Sequence, residues 1–186
     1  MRLAISGTHC SGKSTLVEAF LLVHSQYIHE PEPYEQMQES FSSEPSAEDF
    51  LHQLEYHRER LQKYQPGDHV IFERCAVDFV AYLQALIELR RDTADVSVFE
   101  QAVDLAREAI SLVDIVALLP ANESEIYVPA EEDSKLRATV DRNLERLLMD
   151  DELEILTAGT PVVLELSGTT KQRLQMLEQA IPTQRL

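Results

Sequence analysis

Gly7-Thr8-His9-Cys10-Ser11-Gly12-Lys13-Ser14 is the stretch that decides the fold of this chain. It matches G-x-x-x-x-G-K-[ST] at every specified position. The apolar residues Leu3, Ala4 and Ile5 lead into it as a short strand, and a helical pattern opens near Lys13. The glycines let the backbone curl so that successive N–H groups point at phosphate oxygens. The helix N-terminus adds its partial positive charge. Gly7, Thr8, His9, Cys10, Ser11, Gly12, Lys13, Ser14 and Thr15 are therefore expected to cradle a nucleoside triphosphate, with MgATP as the expected ligand. Lys13 should reach the β and γ phosphates and Ser14 should place its hydroxyl on Mg2+. Thr15 stands beside them, able to bond the α phosphate. This motif defines a ligand class and leaves the reaction open.

Working outward, three more apolar runs read as buried strands: 70–72, 115–119 and 162–166. A weaker one, Tyr27-Ile28-His29, precedes Glu30-Pro31. Helical patterns lie between them over 13–24, 46–64, 78–90, 98–113, 133–156 and 169–180, the fifth with a break near Asp150-Asp151. Ser46-x-x-Asp49 is a cap-like start for the second. Strands alternating with helices predict an α/β fold with a parallel sheet covered on both faces. The Glu-, Ser- and Pro-rich segment 31–45 and the polar segment 122–133 are expected to be loops. The five glycines all fall outside the helical patterns; Gly67, Gly159 and Gly168 read as turns or strand ends.

Composition narrows the partners. The 186 residues fit one domain with a small lid-like segment at about 122–147. Sixteen basic residues against 33 acidic ones give a net charge of −17, a field that opposes nucleic acid and anionic membrane surfaces. No run of about 18 apolar residues occurs and the apolar N-terminus is too short for a signal peptide, so a cytoplasmic location is the default expectation. Cys10 and Cys75 are expected to be free thiols. Cations beside them would lower a thiol pKa and invite a redox role, but small residues suited to tight turns are the favoured reading. The six histidines show no metal-ligand spacing.

Phosphoryl transfer needs charges on the moving group and a residue that orients the attacking oxygen. In an open α/β sheet these belong at the carboxyl ends of strands. Glu30 is one candidate, to accept or orient an acceptor proton, against the alternative of a solvated loop acid. Val70-Ile71-Phe72-Glu73-Arg74 is the second: Glu73 where a Mg2+-linked carboxylate is expected, Arg74 beside the transfer site, and a strand-end salt bridge as the alternative. Lys135, Arg137, Arg142 and Arg146 form a third, with lid arginines closing over phosphates set against surface ion pairs to neighbouring acids such as Asp141 and Glu145. The fourth is Ser167-Gly168-Thr169-Thr170, where Gly168 would pack its backbone against a purine or simply belong to a capped turn.

These residues resemble the small P-loop kinases of the nucleoside and nucleotide kinase group. The chain looks closest to ATP-binding proteins related to the ribosylnicotinamide kinase domain. The resemblance rests on Gly7 to Thr15, on Glu30-Pro31, on Phe72-Glu73-Arg74-Cys75-Ala76-Val77-Asp78, on the Arg137 to Arg142 stretch and on Leu166-Ser167-Gly168-Thr169-Thr170. It implies a three-layer fold with a five-stranded parallel sheet in the order 2-3-1-4-5, helices on both faces and a helical lid. It implies transfer of the γ-phosphoryl group of ATP to a small acceptor, a nucleoside or related nucleotide. It places Glu30 near the acceptor hydroxyl and matches Glu73-Arg74 to the family's acid–arginine pair. Cys75 departs from the serine that deoxynucleoside kinases usually carry there. Two other functions stay open: a regulatory ATP-binding or ATPase module without acceptor chemistry, and a GTPase switch, although neither Asn-Lys-x-Asp nor Asp-x-x-Gly occurs. The residues do not specify an oligomeric state.

Overall fold

The computed structural model describes residues 1–37, 46–91, 96–121, 133–156 and 160–182. Five strands form one parallel sheet in the order β2-β3-β1-β4-β5: β1 (Arg2–Ser6), β2 (Ile28–Glu30), β3 (Val70–Glu73), β4 (Ile115–Leu118) and β5 (Val162–Glu165). All five overlap the apolar runs, but β5, on the sheet edge, is half-buried to exposed rather than the buried strand expected. The three central strands are buried on both sides apart from the half-buried Arg2 at the start of β1, which is why they read as continuous apolar stretches rather than alternating ones.

The sheet separates two apolar layers. On one face, Leu3, Ile5, Ile71, Ile115 and Ala117 pack against α1 (Lys13–Val23) and α7 (Thr170–Ala180). On the other, Ala4, Val70, Phe72, Val116 and Leu118 pack among α3 (Ala47–Gln62), α4 (Ala76–Glu88), α5 (Val96–Ile110) and α6 (Ser134–Leu148). Alternation along each strand thus assigns every side chain to one layer. All the phosphate-loop and acid–arginine residues emerge from the carboxyl ends of β1 and β3, which pair in register from Arg2↔Val70 to Ile5↔Glu73.

Local signals account for the helix ends. Ser46 and Asp49 form a reciprocal capping box, Asp49 N–H donating to Ser46 Oγ at 3.2 Å and Ser46 N–H to Asp49 Oδ2 at 2.8 Å. Asp133 caps α6 through Leu136 N–H at 2.9 Å. The helical pattern over 133–156 stops at Leu148 because Asp151 adopts a left-handed φ of 49° and turns its carboxylate onto the N–H groups of Ile155 and Leu156.

One expectation is corrected. Within the expected loop 31–45, residues Pro33–Gln36 form a one-turn helix, α2. Pro33 sits at its first position, where a preset φ and a missing N–H cost nothing. Residues 38–45 of that segment, residues 122–132 of the expected lid, and Gly159 lie outside the described residues. Among the described residues, no helix is long and apolar enough to cross a membrane.

Candidate nucleotide-binding and transfer site

The phosphate loop is held open by residues around it. Gly12 stands at the N-cap of α1 with φ 89°, and no side chain caps that helix. The helix N-terminus is thus left for an anion. Gly7, with φ +148°, admits no Cβ: one built there would lie 2.6 Å from Ser11 Oγ and 2.8 Å from the Leu119 carbonyl. Gly7→Ala is therefore expected to distort the loop and weaken binding of an ATP analogue by at least about tenfold, measured by titration calorimetry. Wild-type affinity would show that the loop relaxes around the methyl group.

Asp78, fully buried on α4, anchors the start of the loop. It accepts from Ser6 Oγ at 2.5 Å and from Gly7 N–H at 3.4 Å. Burial raises its carboxyl pKa, while Arg74 and the Ser6 hydroxyl oppose the rise. Tyr82, one turn further along α4, accepts from His9 N–H at 3.2 Å and stacks on Phe50.

Arg74 sits at the centre of the site. It is 4% exposed and holds a left-handed φ of 91°. Such a conformation costs a non-glycine residue about 1–3 kcal/mol unless its surroundings impose it. Here they do: its N–H bonds the Ile5 carbonyl at 3.0 Å and Nη1 donates to the Gly7 carbonyl at 2.9 Å. Its Nε lies 3.1 Å from Glu32, Nη1 lies 3.6 Å from Asp78, and the guanidinium covers the Tyr82 ring at 5.2 Å.

Lys13 donates to the Thr8 carbonyl at 2.9 Å and reaches Glu32 at 3.3 Å. Two buried cations, Lys13 and Arg74, therefore face two carboxylates, Glu32 and Asp78. Burial and the Arg74 charge hold the Lys13 ammonium below its usual range, with Glu32 and Asp78 offsetting part of that. Burial alone would raise the Glu32 carboxyl, but Arg74 and Lys13 outweigh it and hold the group at about 2. The carboxylate gains from the cluster what the lysine loses, so these contacts are not a simple sum of stabilising bonds.

On the α1 side of the sheet, Ser14 Oγ donates to Glu73 Oε2 at 2.9 Å. A hydroxyl and a carboxylate are hard oxygen donors suited to Mg2+, with phosphate and water oxygens completing an octahedron. Among the described residues, no group of three or more His, Cys, Asp or Glu side chains is arranged to hold a metal by itself. Two protein oxygens thus fit an ion shared with a nucleotide.

A family model described as an AAA domain matches residues 2–173, most of the chain. The chain belongs to the AAA domain family. No curated protein matches it in sequence. Its fold is shared with solved P-loop kinases. Deoxyadenosine kinase from M. mycoides with bound dATP superposes with a TM-score of 0.66 at 14% identity, over 98% of this chain and 100% of that one. Thymidylate kinase from Candida albicans gives 0.65 at 16% identity, over 98% and 91%. NadR protein in complex with NR gives 0.64 at 15% identity, over 97% of this chain and 50% of that one. At such identities the likeness is one of fold, and this chain's strand order is the one that the family resemblance implied.

In this AAA domain, the expected site residues separate into two sets. Lys13, Ser14, Glu73, Arg74 and the loop come together. Arg137 joins them: it is 5% exposed and its Nε donates to the His9 carbonyl at 3.1 Å. Its Nη2 is buried without a hydrogen-bond partner among the described residues. Arg142 does not join them. It projects from another face of α6, half exposed, and donates to Glu88 on α4 at 2.8 Å, with Arg146 beside it. Lys135 is exposed. Gly168, with φ 84°, precedes the reciprocal Thr169–Gln172 capping box of α7.

Glu30 is drawn elsewhere. As the last residue of β2 it points into the α3 layer, where Arg60 donates to it with two nitrogens, Nε at 3.0 Å, and Tyr64 with its hydroxyl. Glu32 takes the place between Lys13 and Arg74. It is the N-cap residue of α2, yet its side chain makes no cap bond and is directed to the cations instead. The signal was present as a repeat, Glu30-Pro31-Glu32-Pro33, in which either acid fits until the end of the strand is known. Arg173 was also missed. It is buried on α7 and donates to the Ser11 carbonyl at 3.0 Å. An arginine in the first turn of a helix opposes the macrodipole, a hint that it serves something else.

Cys75 is fully buried at the N-cap of α4. Burial, reinforced by Asp78, pushes its thiol well above the usual range despite hydrogen bonds from the backbone of Val77 and Ala76. That environment keeps the sulfur protonated and shielded. Cys10 is half-buried, with a left-handed φ of 52°.

Proposed function

We propose that this protein transfers the γ-phosphoryl group of MgATP to a small acceptor, a nucleoside or a related nucleotide. The observation that carries this reading is Glu32, held 3.3 Å from Lys13 and 3.1 Å from Arg74 at the carboxyl end of the sheet. A protein that only binds ATP could use a carboxylate at that point only to offset the two cations. A kinase needs one to orient the attacking oxygen.

Two cationic side chains, Lys13 and Arg74, stand against two carboxyl groups, Glu32 and Asp78. A triphosphate brings negative charge, so Lys13 exchanges Glu32 for phosphate oxygens. Glu32, losing one of its two cations, becomes more basic and turns to the acceptor. Arg74 holds both Glu32 and the developing charge, and Arg137 supplies from α6 the Nη2 that has no partner among the described residues. Ser14 and, through water, Glu73 would hold Mg2+, which would supply positive charge to the β and γ phosphates.

An ATP-consumption screen over nucleosides, nucleotides, ribosylnicotinamide and small sugars or acids tests this. The expected result is consumption that depends on one acceptor class. Consumption independent of every acceptor would favour the ATPase module instead.

A further inference from the structure

We propose that His29 is a positioning residue that locks the carboxylate of Glu73 in the orientation needed to hold the nucleotide's divalent cation. The inference rests on the metal assignment made above. His29 Nε2 lies 3.0 Å from Glu73 Oε1, while the other oxygen, Oε2, accepts from Ser14 Oγ at 2.9 Å. A carboxylate oxygen only accepts, so the imidazole nitrogen is the donor.

The sheet places these groups together. His29 pairs with Ile71, and Glu73 lies two residues beyond Ile71 on the same strand. Residues i and i+2 share a face. His29, Ile71 and Glu73 therefore all look into the α1 layer, where Ser14 stands in the first turn of the helix. Ile28 and Glu30 look the other way, which is why Glu30 meets α3 and His29 meets the metal-side acid.

The chemistry follows from the two-point grip. A glutamate has three rotatable bonds and, with one partner, its carboxylate swings. Held by His29 on one oxygen and Ser14 on the other, its plane is set before the cation arrives. Hydrogen-bonded partners of metal-side groups typically contribute 10–100-fold to metal affinity. Glu73 is 8% exposed, while His29, on the edge strand, is 35% exposed. Replacing His29 therefore opens no cavity in the core, and its loss is felt at Glu73.

The test uses Mn2+ as a paramagnetic probe, titrated into the protein saturated with a non-hydrolysable ATP analogue and read by electron paramagnetic resonance. Nucleotide affinity in EDTA is measured alongside. His29→Leu is expected to weaken Mn2+ binding by about tenfold or more and to leave metal-free nucleotide affinity within about twofold. His29→Gln, whose amide nitrogen can reach the same oxygen, should stay within about threefold of wild type for Mn2+. Unchanged Mn2+ affinity in His29→Leu overturns the proposal. So does a loss in His29→Gln as deep as in His29→Leu, or an equal loss of metal-free nucleotide binding. Glu73→Gln separates the two levels: if it binds Mn2+ as wild type does, the metal assignment itself fails.

Discussion

Replacing Lys13 with alanine is expected to lower turnover by about 10^3-fold or more, the loss that follows removal of a cation aimed at transferring phosphoryl oxygens. Among the described residues the neighbouring arginines already hold other partners. Arg74 is committed to the Gly7 carbonyl, Glu32 and Asp78, and Arg137 approaches from α6 through the His9 carbonyl. The change should leave folding largely intact, because Lys13 is a cation that burial disfavours and its removal relieves that cost even as it takes a partner from Glu32. Steady-state kinetics and thermal melting of the variant check both parts. Turnover within tenfold of wild type would sink the mechanism.

The second large effect separates two acids that the sequence presents as equivalents. Glu32→Gln should lower kcat by about 10^2–10^4-fold, the usual contribution of a positioned acid–base group, without weakening ATP binding, since it removes the charge that competes with phosphate for Lys13. Glu30→Gln should leave kcat within about threefold and instead destabilise the fold by about 1–3 kcal/mol. It removes the charge that Arg60 and Tyr64 bond and leaves their donors poorly matched. The opposite pattern would return the acceptor role to Glu30. A pH series adds an independent check. Glu32 is depressed from 4.5 to about 2 in the folded protein, so the stability it contributes is present above pH 4.5 and is lost as pH falls towards 2. Wild type should show that acid loss, and Glu32→Gln should show less of it.

What made the fold legible was punctuation around apolar runs. The strands at 3–5, 70–72, 115–119 and 162–166 are too short for helices, and the helical patterns between them are long enough to cover both faces of a parallel sheet. Ser46 and Asp49 marked the start of α3 because a capping box needs only three residues of sequence. The phosphate loop was equally local: its glycines and lysine act through their own backbone and one helix terminus. Glu73 and Arg74 were legible as a strand end one residue from its turn.

The surroundings of Lys13 and Arg74 were not local in this way. Glu30 and Glu32 differ by two residues, and β2 is a three-residue strand on the sheet edge with only its last residue buried. Its end is set by pairing to β3, not by its own composition. Arg142 and Arg137 likewise carry the same charge on the same helix. Arg137 reaches the loop because its face of α6 is buried, whereas Arg142 turns to Glu88, an acid on a helix far away in sequence. Arg173 reaches Ser11 across 162 residues, a contact that no spacing rule predicts.

The sequence by itself determined that a phosphate-loop motif follows the first strand and that a parallel α/β sheet carries it, because both follow from short-range backbone geometry and hydrophobic period. Only the tertiary structure decided which acid stands between Lys13 and Arg74, which arginine faces the loop, and that His29 grips Glu73. Those choices depend on register and on which layer each alternating side chain enters. A shift of one residue in a strand sends a side chain to the opposite face.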